Sequence, residues 1–205
     1  MSSEMHGRLP WLEPSDLDEA QQLVYSQIVA GPRAQKAGIL TRADDKGRLE
    51  GPFNAMLVSP VIGNAVQNLG QVARFESKLS SRTREMVILT VARQARCDFE
   101  WYAHALIGKT VGLTADQIDA VMQGQEPGGL DPAEELSLRT ATALLLSGDL
   151  DDDLFAQARD GLGVDVVTEL LVLVAYYQLM ATLLRVWRTP LPKGVVGPFS
   201  APSAG

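Results

Sequence analysis

A chain of 205 residues that is 46% hydrophobic and 21% charged suits one soluble, globular domain with a full core, here expected over residues 1–205. A net charge of −7 argues against nucleic acid and anionic membrane as partners, because phosphates need a positive counterpart. A single cysteine, Cys97, excludes an intramolecular disulfide and any thiolate-rich zinc site. The stretch MSSEMHGRLPWLEP has no apolar run of signal-peptide length, so a cytoplasmic protein is expected.

The pattern is helical almost throughout. Residues 1–14, with His6, are expected as a mobile tail. Pro14-Ser15 opens a first helix with Ser15 as N-cap, and Gly31-Pro32 ends it. Residues 31–52 keep no period and read as a long loop over the site, since loops of that length in compact domains are usually functional or disordered. A second helix is expected from about Pro60 to Phe75, with Val61, Ala65, Leu69 and Val72 on one side. Ser80 or Ser81 caps RTREMVILTVARQA, and the weak helix-forming triplet Arg96-Cys97-Asp98 precedes FEWYAHALIGKTVG, which Gly112 stops. Thr114 caps ADQIDAVMQ, and Asp131-Pro132 is an N-cap followed by proline at the first helical position. A short helix near Asp153–Arg159 precedes a long apolar one from Asp165. Its uncharged run, Leu170 to Leu184, is too short to span a bilayer and reads as a buried central helix or an oligomer interface. Pro190 and Pro192 break the pattern, and residues 193–205 read as a second tail. No region alternates convincingly as a strand, so the class is all-α.

The window CDFEWYAH, Cys97 to His104, holds the only cysteine and one of two histidines. Cys97, Glu100 and His104 stand at i, i+3 and i+7, within roughly 60° on one helix face. With Asp98 as cap, Cys97 would lie at a helix N-terminus, where the dipole favours a thiolate. Glu100 would reach His104 across one turn, and a carboxylate–imidazole bond suits a general acid or base. On one continuous helix Glu85 would lie about 22 Å from Glu100; if the chain reverses at Arg96–Asp98, Glu85 comes within side-chain reach of His104. A zinc site from Cys97, Glu100 and His104 is a weaker alternative, since no second histidine completes it.

The segment SSRTREMVILTVARQARCDFEWYAHALIGKTVGLTADQIDAV resembles the carboxymuconolactone decarboxylase-like superfamily, which includes alkylhydroperoxidase D. GPFNAML upstream and ELLVLVAYYQLMATLL downstream are similar to members as well. The motif there is Glu, eleven residues, then Cys-x-x-Cys-x-x-x-His. Glu85, Cys97 and His104 match it, and Glu100 replaces the second cysteine. With one cysteine no disulfide cycle runs within a subunit. The resemblance therefore implies the decarboxylase-like branch: an all-α bundle built round a helical hairpin, no cofactor and no metal, and a homo-oligomer, trimer or hexamer.

The expectation is a cofactor-independent lyase or isomerase acting on a small carboxylated or carbonyl-bearing substrate. His104 would move the proton, Glu100 would orient it, Glu85 would complete the relay, and Cys97 would shape the pocket or act as a weak acid. Phe53, Asn54, Trp101, Arg84 and Tyr177 are the candidate substrate contacts, with Arg82 and Tyr176 as neighbours of the same kind. A single-cysteine peroxidase or thiol sensor, and a non-catalytic ligand-binding or assembly protein, stand as alternatives.

Overall fold

The computed structural model describes residues 4–30 and 42–199. Within them the chain forms α1 (Glu19–Ala30), α2 (Pro52–Val58), α3 (Pro60–Phe75), α4 (Ser81–Gln94), α5 (Asp98–Thr110), α6 (Ala115–Gln123), α7 (Pro132–Ser147), α8 (Asp152–Leu162) and α9 (Val164–Val186). The expected all-α class stands.

α4 is the axis of the bundle, packed by α5, α6, α7 and α9. It is buried on every side, with Met86, Val87, Ile88, Leu89 and Val91 at 1% exposure or less. Each such side chain contributes about 1.5–3 kcal/mol relative to exposure. The start of α4 is fixed by Ser80, whose Oγ accepts from Thr83 N at 3.0 Å. α9 is long and apolar enough by length and composition to cross a membrane, but here its Leu170, Leu173, Val174, Tyr176, Tyr177 and Met180 join α4 in the main core.

The reversal at Arg96–Asp98 is real. Ala95 ends α4, Arg96 takes the left-handed conformation (φ 50), and Cys97 N donates to Ala92 O at 2.9 Å. Two bonded helices, α4 and α5, result. Capping boxes at Thr114 and Asp131 then set α6 and α7 where the sequence placed them.

Three expectations need correction. Residues 4–14 are not a free tail: β1 (Met5–His6) pairs antiparallel with β2 (Leu9–Pro10), and His6 is 3% exposed, stacked on Trp11 at 4.8 Å. Trp11 Nε1 donates to Leu49 O at 2.9 Å, and the Arg48 guanidinium lies 3.7 Å over its ring, so this segment clasps the loop before α2. α1 is capped by Asp18, which accepts from Gln21 N at 2.8 Å, while Ser15 sits in a short 3-10 turn. At the other end Phe199 N donates to Asp98 Oδ1 at 2.8 Å and its ring meets Trp101 edge-on, so residues 193–199 include a docked segment.

α3 runs Pro60–Phe75 as expected, and Val61, Ala65, Leu69 and Val72 share one side, which faces outward, Val61 at 80% exposure. The buried residues are Gly63, Gln67 and Gly70. Close approach explains this: a Cβ on Gly63 would stand 1.9 Å from Met56 O, so only glycine lets α2 and α3 meet there. Of the expected loop, residues 31–41 lie outside the described part. Residues 42–51 carry a bridge between Ala43 and Leu49 and reach the site through Arg42, Glu50 and Gly51.

Candidate active site

The hairpin brings Glu85 of α4 against His104 of α5. His104 Nδ1 and Glu85 Oε2 are 2.5 Å apart, a direct contact where sequence spacing allowed for a bridging water. One turn up α5, Glu100 Oε2 lies 3.2 Å from His104 Nε2. The imidazole is thus held between two carboxylates, one on each nitrogen, and all three groups are at 4% exposure or less. Tyr177 packs its ring edge-on against the imidazole, centroids 5.0 Å apart.

Pairing decides the charges here. Burial opposes the ionised form of each group. For His104 the attraction of Glu85 and the contacts with Glu100 outweigh it, and the imidazole is held above its usual value. For Glu85 the adjacent His104, Arg74 and Arg84 outweigh burial, and the carboxyl is held below its usual value. Burial pushes the Tyr177 phenol up, against the pull of Arg74.

A cavity of about 540 Å³ opens onto this centre. Glu85, Glu100, His104, Arg84, Phe53 and Tyr177 line it, so six of the expected residues converge. Three do not line it. Asn54 is fully buried and ties down the N-terminal segment, accepting from Leu12 N at 3.2 Å and donating to Pro10 O at 3.0 Å. Trp101 packs in a second core cluster with Leu89, Leu113 and Leu138. Cys97 is itself the N-cap of α5, so it leaves the helical face of Glu100 and His104 and packs with Ala181 and Leu184. Burial and the neighbouring Glu100 push its thiol up to about 12, the opposite of the thiolate expected at a helix N-terminus. The zinc alternative goes with it: among the described residues no three His, Cys, Asp or Glu side chains are grouped to hold a metal ion. Arg82 is committed elsewhere, donating to Glu134 at 2.7 Å and Gln117 at 2.8 Å.

Arg74 was not among the expected residues. From the end of α3 its Nη2 reaches to 3.5 Å from Glu85 Oε1, and its Nη1 donates to the Tyr177 hydroxyl at 3.3 Å. The signal was present in the spacing: Gly63, Gln67, Gly70 and Arg74 stand at i, i+4, i+7 and i+11, the face α3 turns inward. A basic residue in a last helical turn otherwise reads as dipole compensation.

Residues 60–143, which contain Glu85, Cys97, Glu100 and His104, match the Carboxymuconolactone decarboxylase family. Among solved structures the chain is similar to the alkylhydroperoxidase AhpD core of an uncharacterized peroxidase-related protein from Ralstonia eutropha. The TM-score is 0.73 at 14% identity, over 93% of this chain and 95% of that one. A peroxidase-related protein from a Silicibacter species gives 0.70 at 12%, over 93% and 94%. The debrominase Bmp8, solved as a cysteine-to-alanine variant with 2,3,4-tribromopyrrole, gives 0.66 at 13%, over 89% and 90%. At these identities the likeness concerns the fold. No curated protein matches the chain. The family's match thus lies across the site-bearing hairpin, and the whole chain shares the all-α fold of the AhpD core.

Proposed function

We propose that the protein is a cofactor-independent lyase or isomerase that moves a proton on a small carboxylated or carbonyl-bearing substrate. The observation that carries this is the imidazole of His104 clasped between Glu85 at 2.5 Å and Glu100 at 3.2 Å beneath a cavity. Such a row can store and pass one proton near neutral pH. Because both ring nitrogens are occupied, the proton reaches the substrate through Glu100, not directly from His104 as the spacing alone suggested. The proton held on His104 passes to Glu100 as Glu100 delivers it to the carbanion or enolate left by bond cleavage, and Glu85 holds the ring in orientation. The cavity's aromatic walls exclude water and strengthen these interactions.

The single-cysteine redox alternative has against it a thiol that is buried among apolar side chains and pushed up to about 12. A homo-oligomer is part of the same proposal, supported by the outward apolar side chains Val58, Val61, Ile62, Leu69 and Val72. Light scattering on the purified protein tests that assembly. The chemistry is tested with γ-carboxymuconolactone, related lactones and β-keto acids: His104→Ala should abolish turnover, and full activity in that variant would sink the assignment.

A further inference from the structure

Arg74, Arg84, His104, Glu85 and Glu100 gather at the inner end of the cavity, and Arg42 and Glu50 line it as well. Arg74 is satisfied by Glu85 and the Tyr177 hydroxyl. Arg84 is not. It is 8% exposed, its Nη2 donates to Ser81 Oγ at 2.9 Å, and its Nε has no hydrogen-bond partner among the described residues. Glu85 Oε1 lies 4.0 Å from that Nε, beyond hydrogen-bond reach. A buried guanidinium with unmet donors presents a planar fork matched to a carboxylate. Both Arg84 and Ser81 line the cavity, whose other walls include Phe53, Phe75, Phe99 and Tyr176.

We propose that Arg84 and Ser81 form an anion subsite in the cavity, and that it takes the carboxylate of a small planar monocarboxylic acid with an unsaturated or aromatic body. The carboxylate would give the buried Arg84 Nε the acceptor it lacks, and the aromatic walls accept the flat apolar part. This deepens the acid–base reading and relies on it for where the reacting carbon lies. The binding step does not depend on it.

The test is calorimetric titration of the full chain with benzoate and with benzamide, its neutral analogue of the same shape. Wild type should bind benzoate at least about tenfold more tightly than benzamide, the scale of one charge-assisted hydrogen bond. Arg84→Gln should bring benzoate down to the benzamide level, Ser81→Ala should weaken it less, and Arg84→Lys should retain part of the preference. Circular dichroism checks that each variant is folded, and the benzoate–benzamide comparison needs no variant. Equal binding of the two probes, no saturable binding of benzoate, or a folded Arg84→Gln protein that binds like wild type each overturns the subsite. Glu100→Gln should keep benzoate binding. Loss of the Arg84 dependence with Glu100-dependent turnover intact refutes the subsite alone, and the reverse result refutes the acid–base reading alone.

Discussion

Cys97 and His104 lie seven residues apart in one short stretch and are buried to similar depth, 1% and 4% exposed, yet their chemistry is opposite. Cys97 sits where α5 begins, among Ala181, Leu184, Ala95 and Phe99. Desolvation and the Glu100 charge outweigh the backbone N–H groups of Glu100 and Phe99 and the charge of Arg185, and the thiol stays protonated. His104 sits one helical face away, with a carboxylate on each nitrogen, and favours its charged form. Burial by itself silences an ionisable group, whereas burial with a partner fixes its charge. The pairing, not the depth, separates the charged end of this hairpin from its neutral end.

Removing the partner should therefore have the largest effect. Glu85→Ala leaves a charged imidazole and Arg74 without their carboxylate, and should lower stability by about 3–5 kcal/mol in denaturant unfolding, with activity lost. Glu100→Gln keeps the shape of the site but removes the terminal proton carrier. Its kcat should fall about 10²–10⁴-fold while its unfolding midpoint moves little. The pH dependence of stability should show both partners. The folded pKa of His104 is raised above its ordinary 6.5, so its contribution is complete below that value and is lost as pH rises through the folded one. Glu85 is lowered from 4.5, so its contribution is complete above that value and is lost as pH falls through the folded one. Thermal unfolding should thus show greatest stability between 4.5 and 6.5, and His104→Gln should remove the alkaline decline. The smallest effect belongs to the other end of the hairpin. Cys97→Ala should cost about 1 kcal/mol or less and leave kcat within about twofold, and iodoacetamide should label native Cys97 slowly near neutral pH. A Cys97→Ala protein without activity would erase the contrast between the two ends.

The legible parts of the molecule were the local ones. Capping residues at Thr114 and Asp131 and the helix-breaking triplet at Arg96–Asp98 carry their signal within a few residues, so helix limits and the hairpin could be read. The contact of Glu85 with His104 followed from rise per residue once the reversal was supposed. What escaped depends on distant partners. The burial of His6 comes from Trp11 and from a loop more than forty residues away, and that of Asn54 from Leu12 and Pro10. Which side of α3 turns inward was not legible either, because apolar residues mark a buried stripe only when the neighbour can come close, and here glycine, not valine, allows the approach of α2. Cys97 was misassigned for a related reason: helical periodicity ends at the cap, and one residue outside the helix points elsewhere.

The proposed proton relay spans twenty residues of continuous chain, from Glu85 to His104, joined by a turn that one left-handed residue closes. The hairpin also supplies part of the cavity wall, and the rest comes from elsewhere in the chain: residues 42, 50–53, 74, 75, 176, 177, 180, 192 and 193. The outer part of the wall can therefore be changed without touching the chain from Glu85 to His104. Redesign for a new substrate belongs at Phe53, Phe75, Tyr176 and Met180, where changes alter which molecule enters and leave the proton path as it is.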